Sequence, residues 1–161
     1  MRELTPEPLT AEAFAPFGDV IEASDAATRI DINQGHAIRY DRLAEADVGD
    51  GAAAISIFRA TPLAVLELKT FERHPLGSQA FVPLSGRSYL VAVAPAGALD
   101  PAAIRIFRAE PNQGVQYAKG VWHHFLLVLD ASDFLVVDRA GPGENCDEME
   151  LMIADRIRVI L

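Results

Sequence analysis

Phe71-Glu72-Arg73-His74-Pro75-Leu76-Gly77-Ser78-Gln79-Ala80-Phe81-Val82-Pro83-Leu84-Ser85-Gly86 is the stretch on which the reading of this chain turns. It sets a histidine five residues before a glutamine, with a turn glycine seven residues further on. A second polar cluster, Lys119-Gly120-Val121-Trp122-His123-His124, lies well downstream. Both clusters adjoin apolar, strand-like sequence. A histidine and an amide or acidic oxygen converging from separate strands is what a small metal or acid/base pocket requires.

Working outward, the dominant period is two. Ile55 and Ile57, Leu66 and Leu68, Tyr89, Val91 and Val93, and Ile104 and Ile106 recur on alternate positions, the pattern of half-buried strands. Pro62, Pro75, Pro83, Pro95, Pro101 and Pro111 punctuate these runs. Phe125-Leu126-Leu127-Val128-Leu129 is apolar at every position, which predicts a strand packed on both faces, and Phe134-Leu135-Val136-Val137 repeats it. Ile157, Val159 and Leu161 close the chain. Many short strands with turn signals between them predict one all-β barrel with a little helix near the ends. That helix is expected within Leu9–Gly18, with Thr10 as its cap and Gly18 as its stop, and Asp19–Glu22 follows as a strand. The polar segment from Ala23 to Gly51 is too long for an ordinary connection, so it is expected to carry function or to fold over a pocket.

At 161 residues a single domain, 1–161, is the economical reading. A net charge of −9, from 14 basic and 23 acidic residues, argues against nucleic acid as a partner. A pocket on an acidic protein still accepts a small anion where it is locally positive. The one cysteine, Cys146, leaves no internal disulfide and suits a reducing compartment. No apolar stretch reaches the roughly 20 residues of a membrane span. A cytoplasmic, membrane-free protein is expected.

Among the polar residues, neighbouring His123 and His124 must point to opposite faces of a strand. His123 shares its face with Phe125, Leu127 and Leu129 on simple alternation. One histidine is then a core residue and the other a surface or interface residue, or one of them serves a site. Glu72 and His74 share a face, with Arg73 opposite. Arg39, Arg59, Arg73, Arg87 and Arg139 are the guanidinium candidates for clamping a carboxylate, although each alone is more often an ion-pair partner. Cys146 lacks any thiolate-lowering signature and reads as structural. No phosphate loop, nucleophile elbow or dinucleotide fingerprint is present.

The first cluster resembles a cupin motif, in which histidine, glutamate and glycine at fixed spacing supply metal ligands from two strands. The matching positions are His74, Gln79 and Gly86, with glutamine where glutamate is usual. Gly120 and His123 keep the spacing of the second cupin motif, with Ala118 in the proline position. A narrower match runs through Glu72-Arg73-His74-Pro75-Leu76-Gly77, Gln79-Ala80-Phe81, Gly114-Val115, Trp122-His123-His124, Asp133-Phe134, Asp138-Arg139 and Asn145-Cys146-Asp147. In that order these blocks are similar to the ureidoglycolate lyase family, as are Asn33, Gly35, Arg39-Tyr40 and Ser56–Ala60. Phe125 departs from the family, which often has proline there, and the chain after Asp147 matches poorly.

That resemblance implies a cupin-type β-barrel, an antiparallel double-sheet barrel with short peripheral helices, usually as a homodimer. It implies cleavage of ureidoglycolate to glyoxylate and urea in purine breakdown through allantoin, and a divalent metal, nickel being the one associated with the family. The substrate carbon carries a hydroxyl, a carboxylate and a urea nitrogen. Cleavage needs a base, an acid for the departing nitrogen and stabilisation of charge. On this reading His74, Gln79 and His123 hold the metal, and Glu72 is the base, with His74, His123 and Lys119 as its catalytic partners. Lys119 or Tyr117 protonates the leaving urea; Arg59 or Arg139, with Tyr117 and Gln79, holds substrate. His124 supports the site from behind or faces a partner subunit. Two rivals stand beside the lyase: a non-catalytic cupin-like module that binds a small carboxylate, and another cupin enzyme such as a sugar epimerase. The density of acid/base groups weighs against the first and the Glu-Arg-His-Pro-Leu-Gly block against the second.

Overall fold

The structure, a computed structural model, describes residues 1–161. Regular structure is almost all strand; the one α-helix is Ala11–Phe14, with short 3-10 turns at Asn33–Gly35, Pro101–Ala103 and Ile153–Asp155. Thr10 caps the helix, its hydroxyl accepting from the Ala13 amide at 3.1 Å. Gly18, at φ +148°, begins the strand Gly18–Ile21 immediately afterwards.

Two sheets make the body. One runs Gly18–Ile21, Gly114–Tyr117, Gln79–Pro83, Ser132–Ala140, Ala52–Ala60. The other runs Asp147–Glu150, Thr70–Arg73, Trp122–His123, Tyr89–Ala94, Arg105–Ala109, Glu7–Pro8. Between them lies an aromatic core that includes Phe14, Phe17, Phe81, Tyr89, Phe107, Tyr117 and Phe134. A third layer of Arg2–Leu4, Ile157–Val159 and Glu67–Leu68 covers the outer face of the second sheet. It buries Leu68, Phe71, Leu90, Trp122, Leu127 and Ile157. The fold is therefore all-β, as the period-two runs predict, but the sheets do not join into a closed hydrogen-bonded ring. Ala52–Ala60 and Gly18–Ile21 each pair on one side only. Closure at one end is made instead by side chains: Phe14 sits 5.6 Å from Phe107 and 6.3 Å from Tyr117, ring to ring.

The strand buried on both faces is Tyr89–Ala94, not Phe125–Leu129. Tyr89, Val91 and Val93 face the inter-sheet core, and Leu90, Ala92 and Ala94 face the outer one. Its neighbour explains the difference. Val93 pairs with His123 and Leu90 with Leu127, so three residues, His124 to Leu126, oppose two, Val91 and Ala92. This is a β-bulge, and one extra residue inverts the alternation beyond it. His123 therefore lies on the inter-sheet side while Leu127 lies in the outer core, and Phe125 is extruded to 49% exposure.

The long segment 23–51 folds as a hairpin, Thr28–Ile32 with Ala37–Asp41, followed by a tail pinned beside the His74–Gln79 loop. The Asp47 amide donates to Ser78 Oγ and the Ser78 amide to Asp47 O, both at 2.8 Å.

Candidate active site

Glu72 lies on the strand Thr70–Arg73, directly opposite His123 on one side and Glu148 on the other. His74 follows at the end of that strand. Gln79 opens Gln79–Pro83, the middle strand of the facing sheet, and pairs with Tyr117. The two motifs thus meet between the sheets. Gly120 makes the approach possible: at φ +80° its amide donates to His74 O at 2.9 Å, a backbone shape that favours glycine.

The hydrogen bonds fix which atoms are free. His74 Nδ1 donates to Asn145 O at 2.6 Å, and Nε2 faces Gln79 Oε1 at 3.0 Å. Gln79 Nε2 donates to Asp138 Oδ2 at 3.1 Å. His123 Nδ1 donates to His124 O at 3.3 Å, so its Nε2 is the lone-pair nitrogen, and that atom is buried without a partner. Each ring nitrogen that donates does so to a main-chain carbonyl, the arrangement that orients ligating histidines. Two imidazole nitrogens and an amide oxygen suit a first-row divalent ion such as nickel, and three protein ligands leave positions open. Glu72, His74 and His123 also present donor atoms all within 4.8 Å of one another. Its carboxylate lies 3.8 Å from His123 Nδ1, the nitrogen turned away from the free lone pair. Tyr117 stacks on the His123 ring, 4.2 Å between centroids and 10° between planes.

Burial pushes the Glu72 carboxyl above its ordinary range; positive charge on His74 opposes this and Glu148 adds to it. Burial, helped by His74, pushes His123 down to about 3, and burial pushes His124 down to about 4. Both stay neutral at pH 7. The unfolded chain binds two protons near its ordinary value of 6.5 that the folded chain refuses. Stability is thus full above about pH 7 and falls as pH drops from 6.5 toward 4, by up to about 1.4 kcal/mol per pH unit for each histidine. Urea midpoints of the metal-free protein across that range should show the slope, and His124→Gln should reduce it.

Glu72 and Arg59 line one open cleft of 440 Å³ with Phe58, Phe81, Phe125 and Leu126. The bulge therefore supplies part of the cleft wall. Glu72, His74, Gln79, His123 and Tyr117 are brought together, and Arg59 reaches the cleft while its guanidinium is held by Asp133 at 2.8 and 2.9 Å. Two candidates lie elsewhere. Lys119 is half-exposed and faces Asp47 at 3.6 Å. Arg139 is a buried strut, bonded to Asp50 at 2.8 Å and to Pro142 O at 2.9 Å, with Gly51, Gly77 and Gly141 packed against it. Burial pushes the Tyr117 phenol pKa upward, so it stays protonated, and its ring forms a wall against His123. His123 and His124 are both buried, so neither is a surface residue; His124 lies against Phe71, 5.8 Å away, on the outer side.

Sequence reasoning passed over Asp138 and Asn145 as individual site residues. Asn145 uses its main-chain oxygen on His74 and its side-chain oxygen on the Leu76 amide at 2.8 Å. Cys146 Sγ lies 3.9 Å from Glu72 Oε2. Burial and then the Glu72, Glu148 and Asp147 charges raise its thiol pKa, so it is no thiolate nucleophile.

An acidic group in a cleft beside a histidine–histidine–amide cluster, set between antiparallel sheets, defines a small-molecule enzyme of acid/base or metal-assisted type. The sequence model of ureidoglycolate lyase matches residues 1–158. A ureidoglycolate lyase of Burkholderia mallei is 54% identical over 94% of this chain and 91% of its own. One from Burkholderia cepacia is 56% identical over 92% and 86%. One from Pseudomonas syringae pv. tomato is 54% identical over 92% and 89%. The chain belongs to the ureidoglycolate lyase family. A solved dTDP sugar isomerase from Desulfovibrio desulfuricans shares the fold at a TM-score of 0.50 and 15% identity, over 87% of this chain and 89% of that one.

Proposed function

We propose that this chain is a carbon–nitrogen lyase that cleaves ureidoglycolate to glyoxylate and urea, in purine breakdown through allantoin. The observation that carries the reading is Glu72, a carboxylate of raised pKa in the same cleft as Arg59 and 3.8 Å from the Nδ1 of His123. Arg59 offers the charge that attracts the substrate carboxylate. Glu72 takes the hydroxyl proton; the oxygen lone pair forms the new carbonyl as the carbon–nitrogen bond breaks. The departing nitrogen needs one proton, and Glu72, now protonated, returns the one it took. The balance closes without water. It also leaves Lys119, paired with Asp47, out of the transfer.

His74, Gln79 and His123 would hold a divalent ion, with nickel as the proposed metal and the double sheet read as cupin-type. Bound there, the ion supplies Lewis-acid polarisation of the substrate oxygens. Release of urea and glyoxylate from ureidoglycolate by purified protein, with and without exhaustive chelation, tests both readings. No release under any condition would leave the carboxylate-binding module. Full release after chelation would remove the metal.

The same reading includes a homodimer in the cytoplasm. Ala52–Ala60 is a long sheet edge carrying Ile55 at 73% and Ile57 at 56% exposure, a surface that suits a symmetric contact between two copies. Sedimentation at micromolar concentration should give twice the monomer mass; a monomer mass would remove the dimer.

A further inference from the structure

We propose that Asp138 is a positioning residue that decides which end of the Gln79 amide faces the two site histidines. It would thereby hold, one position further out, the negative charge that a cupin glutamate places on the ligand itself. The inference rests on the metal reading above.

An amide is ambiguous in a way that a carboxylate is not. Its two ends have nearly the same shape, yet only the oxygen has a lone pair to offer an ion, and the nitrogen carries only donors. A glutamine in a ligand position therefore works only where something outside the cluster fixes its rotation. Strand register provides that. Val137 pairs with Ala80, so the next antiparallel pair sets Asp138 opposite Gln79 on the same inward face. Gln79 is 6% exposed, and its Nε2 donates to Asp138 Oδ2 at 3.1 Å. An amide N–H must therefore point at Asp138, and the oxygen must point at His74 Nε2, 3.0 Å away. Rotating the amide would set two acceptor oxygens against each other on one side.

Asp138 has no other partner that would explain its presence. It makes no ion pair with any lysine or arginine, and the adjacent Arg139 is committed to Asp50 and Pro142 O. A half-buried carboxylate without a cation is costly, and its one side-chain hydrogen bond goes to the ligand amide. Arg139 and Asp138 thus divide the work of neighbouring positions. One braces the loops; the other aims the glutamine.

The test reverses the pair. Metal-free protein is titrated with Co²⁺, followed by calorimetry and by the visible absorption of the bound ion. Thermal unfolding of the metal-free forms is measured alongside. In Asp138→Asn the new side chain can present either end, so the Gln79 orientation is no longer enforced. Affinity for Co²⁺ should fall about 10–100-fold, the usual effect of losing a partner that orients a ligand. The double variant Gln79→Glu/Asp138→Asn exchanges carboxylate and amide without changing net charge. It should bind Co²⁺ within a few-fold of the wild type. A purely structural role for Asp138 would not be rescued in this way. Wild-type affinity in D138N, or a double variant that binds no better than D138N, overturns the inference and leaves the metal reading standing. A wild-type protein that binds no Co²⁺ removes the metal reading and the inference together. Comparing the double variant directly with the wild type keeps the test decisive if D138N folds poorly.

Discussion

Exchange of Glu72 for glutamine should lower kcat by about 10²–10⁴-fold, the usual scale for a positioned general base, while metal content and fold stay as they are. The substitution keeps the shape and removes the lone-pair charge. The position is well suited to the role: burial raises the carboxyl's pKa, so it is a stronger base than an exposed glutamate yet can still give the proton back. The acidic limb of the kcat/KM profile should accordingly lie above the ordinary carboxylate range, and in the variant that limb should disappear. Metal analysis beside the kinetics separates the two possible roles. Its carboxylate stands within 4.8 Å of nitrogens on His74 and His123, so loss of metal in the variant would make Glu72 a ligand and require another base.

His123→Ala should abolish metal binding and activity together and leave a folded protein. The free Nε2 of His123 is the one buried nitrogen of the cluster with no partner of its own. Its neighbours His74 and Gln79 are set by main-chain strand pairing that does not use the His123 side chain, so the ion is not needed to build the site, unlike a metal that folds its own ligands. A second readout moves in the opposite direction. With a pKa held down to about 3, His123 weakens the fold as pH falls below 6.5, and removing it should flatten that acid slope. Retention of full metal affinity would show that the ion, if bound, uses other atoms.

The strands were legible because alternation follows from local spacing. The meeting of the two motifs was legible because His74, Gln79 and Gly86 with Gly120 and His123 resemble the paired cupin motifs, a resemblance that implies which ends converge. What was hidden depends on partners. The bulge at His124–Leu126 exists only because two residues of the neighbouring strand stand opposite, so the face assigned to Leu127 and Leu129 by simple alternation was inverted. Arg139 looked like a substrate clamp and Lys119 like the acid for the leaving urea, yet the loop after the hairpin supplies Asp50 and Asp47 to them. No local pattern announces those pairings. Closure into a ring was likewise a question of whether two edges hydrogen-bond, which the edges' own sequences do not decide.

The strand Tyr89–Ala94 gives its odd residues to one core and its even residues to the other. Neither layer can therefore loosen without uncovering the back of the other. Its amide hydrogens should be among the slowest in the chain to exchange with deuterium, escaping only when the whole molecule opens. The hairpin strand Thr28–Ile32 is exposed along its entire length and contributes to neither core. Its amides should exchange through an opening of its own, many orders of magnitude sooner, so one labelling time course would report two separate free energies from a single chain.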